Sequence, residues 1–368
     1  MRNRLHALCP YFAMFPESFV EEHVRAFTRE GDYVFDPFCG RGTTVLQSLL
    51  MGRQAVATDI NPVGYCVSAA KAQVPRPESV LEEIDKLEVR YQDCDKRGLI
   101  EQRRRLPVFF GRAFHYATLE QLLFLRGVLD WRRDQTQRFV AAMILGILHG
   151  EMDTSVRYLS NQMPRTISPK PAYSLRYWRQ RNLWPRKKDV FARLRAESKF
   201  RLSGEFPPLR GLVRLADARQ AAKQFPTMRG RVACVITSPP YFDVTDCGED
   251  QWLRLWFLGN DPKPTYRKIS RDDRYEQKDG YWRFLSEVWT GIADLMFRDA
   301  VLVCRMGGAR MSQLEITSGL TNSLTQAFPS ARLIAEPKRT PLANRQTPAF
   351  RPGSKGCRFE VDHLFRLG

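Results

Sequence analysis

The stretch Asp36-Pro37-Phe38-Cys39-Gly40-Arg41-Gly42-Thr43-Thr44 decides how the chain is read. Tyr33-Val34-Phe35 before it reads as the end of a buried strand, and residues 45–51 after it read as a helix. Two glycines in the turn let backbone approach a ligand with no Cβ in the way. The helix then offers its N-terminal N–H groups to anything polar placed there. Strand, glycine turn and helix together predict a nucleotide-type pocket. Gln54-Ala55-Val56-Ala57-Thr58-Asp59 reads as a second strand ending in an acid, with a helix over 63–72 behind it. An acid about 20 residues beyond such a turn is where nucleotide folds hold ribose hydroxyls. A carboxylate suits that task because it accepts two hydroxyl hydrogen bonds at once; the plain alternative is a surface acid.

Composition limits the partners. The 368 residues suffice for one large or two ordinary domains, and 43% hydrophobic content supports a real core. A net charge of +18 favours polyanions, most often nucleic acid. Eight cysteines form no C-x-x-C pair and only five histidines are present, so no metal site is expected. Cys66, Cys234 and Cys304 sit in apolar runs, which suits buried reduced thiols in a cytoplasmic protein. The N-terminus lacks the apolar core of a signal peptide. The longest apolar run, 139–148, is too short to span a bilayer, so no membrane partner is expected.

The α/β rhythm of residues 1–75 stops at Pro75-Arg76-Pro77 and returns at about 206. Residues 18–27 read as a helix with Phe19, Val20, His23, Val24 and Phe27 on one face. In the interval 76–205, 78–91 is amphipathic through Val80, Ile84, Leu87 and Tyr91. Helices are also expected around Leu122, Leu125 and Leu129 and over 139–149. Residues 151–205 hold 13 Lys/Arg against 5 Asp/Glu. There Arg165, Lys170, Arg176, Arg179, Arg181, Arg186, Lys187 and Lys188 interleave with Tyr158, Tyr173, Tyr177, Trp178 and Trp184. Cations reach phosphates, guanidinium forks read guanine edges and aromatics stack on bases, so this segment is a candidate nucleic-acid surface. A solvated helix face is the bland alternative. In 206–368, 212–217 reads as a strand ending in Asp217, and Val232-Ala233-Cys234-Val235-Ile236-Thr237 as the apolar centre of a parallel sheet. The latter runs straight into Ser238-Pro239-Pro240-Tyr241. A helix over 281–297 and strands over 300–306, 332–336 and 358–365 complete the pattern. A basic loop with Lys338, Arg339, Arg345, Arg351 and Lys355 is expected between the last two strands.

The nucleotide can then be narrowed. A phosphate-binding loop requires Gly-Lys-Ser/Thr, and Gly42 is followed by Thr43. A dinucleotide fingerprint requires a third small residue, where Val45 stands. Asp36 to Thr43 instead resembles the D-P-F-C-G-x-G-T motif of S-adenosylmethionine methyltransferases, and Ser238-Pro239-Pro240-Tyr241 resembles the [DNS]-P-P-[YF] motif of amino-methyltransferases. The resemblance covers roughly 1–75 and 205–368, including a weaker likeness of Tyr11 to Phe19 to the family's N-terminal cofactor motif.

Several expectations follow from this resemblance. The fold would be an α/β, class I (Rossmann-like) methyltransferase with a mixed sheet. Residues 1–75 and 206–368 would form its catalytic domain, and 76–205 an inserted, mainly helical target-recognition region. S-adenosyl-L-methionine would be the cofactor, held by Asp36, Phe38, Gly40, Gly42 and Thr43, with Asp59 on the ribose, Asp217 on the adenine amine, and Phe15. Ser238, Pro239, Pro240 and Tyr241 would be catalytic. The Ser238 hydroxyl and the Pro239 carbonyl would accept from the target amine, the two prolines would stiffen the turn, and Tyr241 would stack on a flipped base. Double-stranded DNA would be the substrate, held by Arg165, Lys170, Arg176, Arg179, Arg181, Lys187 and Lys188. A cognate restriction endonuclease stays open as a partner. With the recognition region between the motifs, the leading residue is often Asp and the product N6-methyladenine; a leading serine is commoner in cytosine-N4 enzymes. The reading is therefore a cytosine-N4 DNA methyltransferase. An adenine-N6 enzyme is the first alternative, ahead of an RNA amino-methyltransferase or a non-catalytic DNA-binding relative.

Overall fold

The apolar segment Val232–Thr237 forms the middle of a sheet whose strands run in the order Leu212–Leu215, Gln54–Asp59, Tyr33–Asp36, Val232–Thr237, Met296–Gly307, Phe359–Arg366, Arg332–Leu333, as seen in a computed structural model. The strands are β1 (Tyr33–Asp36), β2 (Gln54–Asp59), β3 (Leu212–Leu215), β4 (Val232–Thr237), β5 (Met296–Gly307), β6 (Arg332–Leu333), β7 (Lys338–Pro341) and β8 (Phe359–Arg366). The structure describes residues 3–11, 15–150, 158–163, 169–242, 250–264, 277–308, 310–342 and 357–368. β1 to β5 are parallel to their neighbours, and β8 runs antiparallel to β5. Along its other edge β8 pairs with β6 and with β7. This is a mixed, Rossmann-like sheet.

Alternation along the central strands sorts their side chains onto two faces, as the period of two requires. Val34, Cys234, Ile236, Val301 and Val303 face a cluster with Phe15, Phe19, Val20 and Val24. The last three belong to helix α1 (Glu17–Phe27). Helices α2 (Thr43–Leu50) and α3 (Pro62–Ala72) cover the neighbouring strands through Val45, Leu49, Ala69 and Ala72. Phe35, Val235, Leu302 and Cys304 face the other way, into a larger core with helices α4 (Lys278–Ala293) and α5 (Gln313–Leu324). Both faces are thus covered by helices, which explains why β4 is apolar from Val232 to Ile236.

The chain divides into two compact units. The sheet and its helices make one, from Ala13–Ala72, Pro207–Asp246 and Ile269–Gly368. The other comprises Met1–Phe12, Gln73–Phe206 and Cys247–Lys268, and is helical. Residues 1–12 and 247–268, which the sequence reading groups with the catalytic segments, therefore cluster with the helical unit. Its helices include Pro77–Asp93, Tyr116–Val128, Gln135–Ile147, Pro171–Gln180, Val190–Arg201 and Trp252–Phe257. Its core is aromatic: Phe109 lies 5.5 Å from Trp178 and 5.1 Å from Trp252 between ring centres, and Phe110 lies 4.6 Å from Trp256.

Several boundaries differ from the sequence reading; the strand expected over 332–336, for one, covers only Arg332 and Leu333. The strand expected over 212–217 ends at Leu215, and Asp217 caps a short turn over Ala218–Gln220. The helix expected to reach 297 stops at Ala293, and β5 begins at Met296, earlier than the apolar run alone suggests. Lys338 and Arg339 lie in β7 and not in a loop. β7 is mostly exposed and has no apolar alternation, so only its pairing to β8 marks it as a strand.

One contact ties a helix of the core to the site below. A Cβ built on Gly291, in α4, would lie 2.3 Å from the Arg219 carbonyl oxygen. Alanine normally improves a helix over glycine by about 1 kcal/mol. Here Gly291→Ala is expected to lose about 1–3 kcal/mol through overpacking against backbone. Urea unfolding checks this: an unchanged or higher midpoint would show that α4 does not press on the Arg219 turn.

Candidate active site

The turn after β1 is built by hydrogen bonds from both neighbouring elements. Gly40 and Gly42 take left-handed φ values of 49° and 73°, which only glycine adopts cheaply. A Cβ on Gly42 would also meet the Ser68 hydroxyl at 2.7 Å. The Gly40 N–H donates to Asp59 Oδ2 at 2.7 Å, and the Ser68 hydroxyl donates to the Gly40 carbonyl at 2.8 Å. The buried Lys71 ammonium donates to the Arg41 carbonyl at 2.6 Å. Ser68 and Lys71, both on α3, are structural partners that sequence reading missed. Their signal is two polar side chains on the buried face of a small-residue helix.

Two acids stand at the ends of adjacent parallel strands. Asp36 is 2% exposed and accepts from the Thr237 hydroxyl at 2.7 Å and the Phe38 N–H at 3.1 Å. Asp59 accepts from Gly40 on one oxygen and from the Asn61 N–H on the other at 2.8 Å. Burial pushes both carboxyls up to about 6, and the Asp36 charge adds to the rise at Asp59. A carboxylate has about four lone-pair sites, so each oxygen of Asp59 keeps capacity for another donor. Thr43 opens α2 and is buried, its hydroxyl accepting from Arg41 Nε at 3.3 Å. Phe38 is partly buried, its ring 6.0 Å from Phe284. Phe15 is buried against Phe19 at 5.2 Å. Asp217 caps its turn through the Arg219 N–H at 2.9 Å and pairs with the Arg219 guanidinium at 2.8 Å. Arg219 also meets Glu287 at 3.0 Å, and these three side chains line a common cleft with Thr290 and Gln326. The Arg219 partnership was not foreseen.

The second turn follows β4 directly. Because β1 and β4 are adjacent and parallel, it starts beside Asp36: Thr237, the residue before Ser238, holds the Asp36 carboxylate. The Thr44 hydroxyl adds a bond to the Ile236 carbonyl at 3.1 Å. The Ser238 hydroxyl donates to the Tyr241 oxygen at 3.2 Å, and the Tyr241 hydroxyl donates to Glu360 Oε1 at 2.9 Å. Pro239 is buried and Pro240 half-buried. Tyr241, expected to stack on a base, is only 4% exposed, so its ring offers no open face in this structure. Burial and the Glu360 charge hold its phenol well above the usual range, so it stays protonated. Glu360 and its partner Arg305, on β8 and β5, carry no motif and were missed.

The helical unit carries the expected basic residues, and they sort into two kinds. Arg176, Arg179, Arg181 and Lys187 are exposed, and Lys170 is half-buried. Arg181 lies 4.1 Å from the Tyr177 ring centre, and Arg176 lies 5.8 Å from that of Tyr173. Exposed Trp184 carries the Arg112 guanidinium over its ring at 3.7 Å. Two residues must be corrected. Trp178 is fully buried in the aromatic core, its indole N–H on the Gln162 carbonyl. Lys188 turns inward onto the carbonyls of Tyr158 and Ser160, and burial lowers its ammonium to about 8. Arg165 lies outside the described residues. Among those residues no group of His, Cys, Asp and Glu could hold a metal ion, and no helix is long and apolar enough to cross a membrane.

The geometry can now be compared with known proteins. Residues 2–71 match the family model described as DNA methylase. Over these residues the chain is similar to DNA methylases. It is similar to the orphan methyltransferase M.BamHII of Bacillus amyloliquefaciens, 44% identical over 54 residues, which cover 15% of this chain and 20% of that protein. It is also similar to the type II methyltransferase M.MjaII of Methanocaldococcus jannaschii, 32% identical over 71 residues, covering 19% of this chain and 13% of that protein. The chain thus spans a fifth or less of the length of these two relatives. Among solved structures, an rRNA methyltransferase, AviRa from Streptomyces viridochromogenes, is 11% identical at a TM-score of 0.37, covering 99% of this chain and 92% of that one. The matched segment contains the glycine turn, Asp36 and Asp59. Two buried carboxylates pushed up to about 6, with spare acceptor capacity beside a glycine turn, fit a cation that carries hydroxyls.

The Thr237–Asp36 bond is testable on its own. Thr237→Val keeps the shape and removes the donor. At pH 8, where Asp36 is ionised, the loss is expected to be about 1.5–3 kcal/mol, the range for a bond to a charged group. The bond lowers the Asp36 pKa, so its contribution shrinks as pH falls through about 6. At pH 5 the loss should drop to about 0.5–1.5 kcal/mol. Chemical denaturation at the two pH values gives the comparison.

Proposed function

We propose that this chain is an S-adenosylmethionine-dependent DNA methyltransferase acting on the exocyclic N4 amine of cytosine. The observation that carries the reading is the meeting of two turns at one sheet edge, joined by the Thr237 hydroxyl on the Asp36 carboxylate. Ligands in parallel α/β sheets bind at the carboxyl ends of the strands. The family match over residues 2–71 supports the methyl donor and the DNA substrate.

When bound, S-adenosylmethionine supplies an electrophilic methyl group on a sulfonium. Asp59 and Asp36 hold its polar groups, Gly40 and Gly42 let backbone come close, and Phe15, Phe38, Thr43 and Asp217 complete the pocket. An aromatic exocyclic amine is a poor nucleophile because its lone pair is delocalised into the ring. The Ser238 hydroxyl oxygen and the Pro239 carbonyl accept from its two N–H groups and free that lone pair. Preorganised acceptors stabilise the positive charge that develops on the nitrogen. The methylated amine is cationic and sheds its proton readily, so the turn requires no strong base. The exposed Arg176, Arg179, Arg181 and Lys187, with Lys170, neutralise DNA phosphates. The leading serine favours cytosine over adenine as the target.

Nucleoside mass spectrometry of DNA treated with the protein tests the product. N4-methylcytosine is expected; N6-methyladenine would overturn the choice of base, and an absence of methylated nucleoside would overturn the enzyme. Ser238→Ala should abolish methylation and keep cofactor binding, whereas Asp59→Ala should weaken cofactor binding first.

The acids also set a pH dependence. A donor bound to Asp59 needs the ionised carboxylate, which is lost as pH falls through about 6. Between pH 7.5 and 5.5, affinity for S-adenosylmethionine should fall at least about fourfold by linkage. Calorimetry at the two pH values measures it, and Asp59→Asn should flatten the dependence.

A further inference from the structure

We infer that Glu360 fixes the hydrogen-bond direction of the catalytic turn, so that Ser238 meets the target amine only as an acceptor. The inference rests on the proposed amine methylation and adds a positioning residue to it. Glu360 lies on β8, opposite Gly307 of β5 and Thr340 of β7. Its Oε1 receives the Tyr241 hydroxyl at 2.9 Å, and the Tyr241 oxygen receives the Ser238 hydroxyl at 3.2 Å.

An ionised carboxylate can only accept. Tyr241 must therefore spend its single proton on Glu360, which leaves the phenol oxygen as an acceptor. Ser238 in turn spends its proton on Tyr241. Both lone pairs of the Ser238 oxygen are then free for an N–H donor, and no proton points at the incoming amine. Without the carboxylate the phenol could donate to Ser238 and the serine proton could rotate toward the substrate. That proton would oppose the charge growing on the nitrogen.

The surroundings hold this direction. Arg305 lies 3.6 Å from Glu360 Oε2 and is itself clamped by Asp362 through bonds of 2.6 and 2.8 Å. Burial, with the Asp362 charge, leaves the Glu360 carboxyl raised, and Arg305 and the Tyr241 hydroxyl work against that rise. Cys357, a free cysteine, also bears on Tyr241. Gly307 leaves room for the ring: a Cβ there would lie 2.7 Å from Tyr241 Cε2.

The test measures methylation of DNA at saturating cofactor by wild type, Glu360→Gln, Tyr241→Phe and the double variant. Each single change should lower kcat at least about tenfold, the scale for losing a preorganised polar contribution. KM for DNA and affinity for the cofactor should stay within about twofold, because the loss lies in the transition state. The double variant should be no slower than the slower single one, since both break one chain. A Glu360→Gln enzyme with wild-type kcat, or losses that multiply in the double variant, would overturn the inference. If Glu360→Gln fails to fold by thermal unfolding, Tyr241→Phe decides alone: retained kcat overturns the chain, lost kcat with unchanged KM upholds it. A wild-type protein that transfers no methyl group overturns the proposed function, and this inference with it.

Discussion

The hydroxyl of Thr237 reaches the Asp36 carboxylate across 201 residues of sequence, and the rest of the site depends on that meeting. It is possible only because β1 and β4 lie side by side, in parallel, with Phe35 opposite Val235. A slip of one residue would exchange the two faces of β4 and turn its core side chains the wrong way. Packing on both faces forbids that slip, since Ile236 fills one core and Val235 the other. Hydrophobic register thus places a polar contact that no hydrophobic residue makes. It also brings the glycine turn and the Ser238 turn to one edge.

Buried carboxylates at this edge are handled in two ways. Asp36 and Asp59 are held by hydroxyl and backbone N–H donors, and burial leaves both acids above their usual range. They are costly alone, because neutral donors do not fully offset the loss of water around a buried charge. Glu360 and Asp362 are instead served by the Arg305 guanidinium, whose planar fork takes Asp362 on two bonds. Asp36 and Asp59 sit at the ends of β1 and β2, and Glu360 of the second pair accepts the Tyr241 hydroxyl. One edge therefore combines an acidic half held by neutral donors with a half served by a guanidinium, and burial still leaves Glu360 raised.

What the sequence made legible follows from how local each signal is. The glycine turn, the apolar β4 and the acid at the end of β2 are short-range patterns, and the structure builds them as read. Glu360 and Arg305 are 55 positions apart in sequence and meet only because β8 returns antiparallel to β5. No local pattern encodes such a pair. β7 escaped for the same reason, since its strand character comes from its partner. The basic segment was legible as charge but not as direction. Helix Pro171–Gln180 buries Ser174 and Trp178, four residues apart, and presents Arg176 and Arg179 outward. Helical spacing separates these sides, so Trp178 joins the core while neighbouring cations stay in water.

Lys188 shows why charge counting alone misleads. Its neighbour Lys187 is exposed, yet Lys188 gives its ammonium to two carbonyls and its backbone N–H to the Thr118 hydroxyl. Burial lowers its pKa because a buried ammonium without a full anion partner is penalised. The same penalty explains the other side of the molecule's charge balance. Exposed guanidiniums such as Arg181 rest instead on an aromatic face, where the weakly hydrated plane loses little. A surface assembled from Arg on Tyr and Arg on Trp holds its cations in defined places at small desolvation cost. Lysines on flexible stems would hold the same charge without the same geometry.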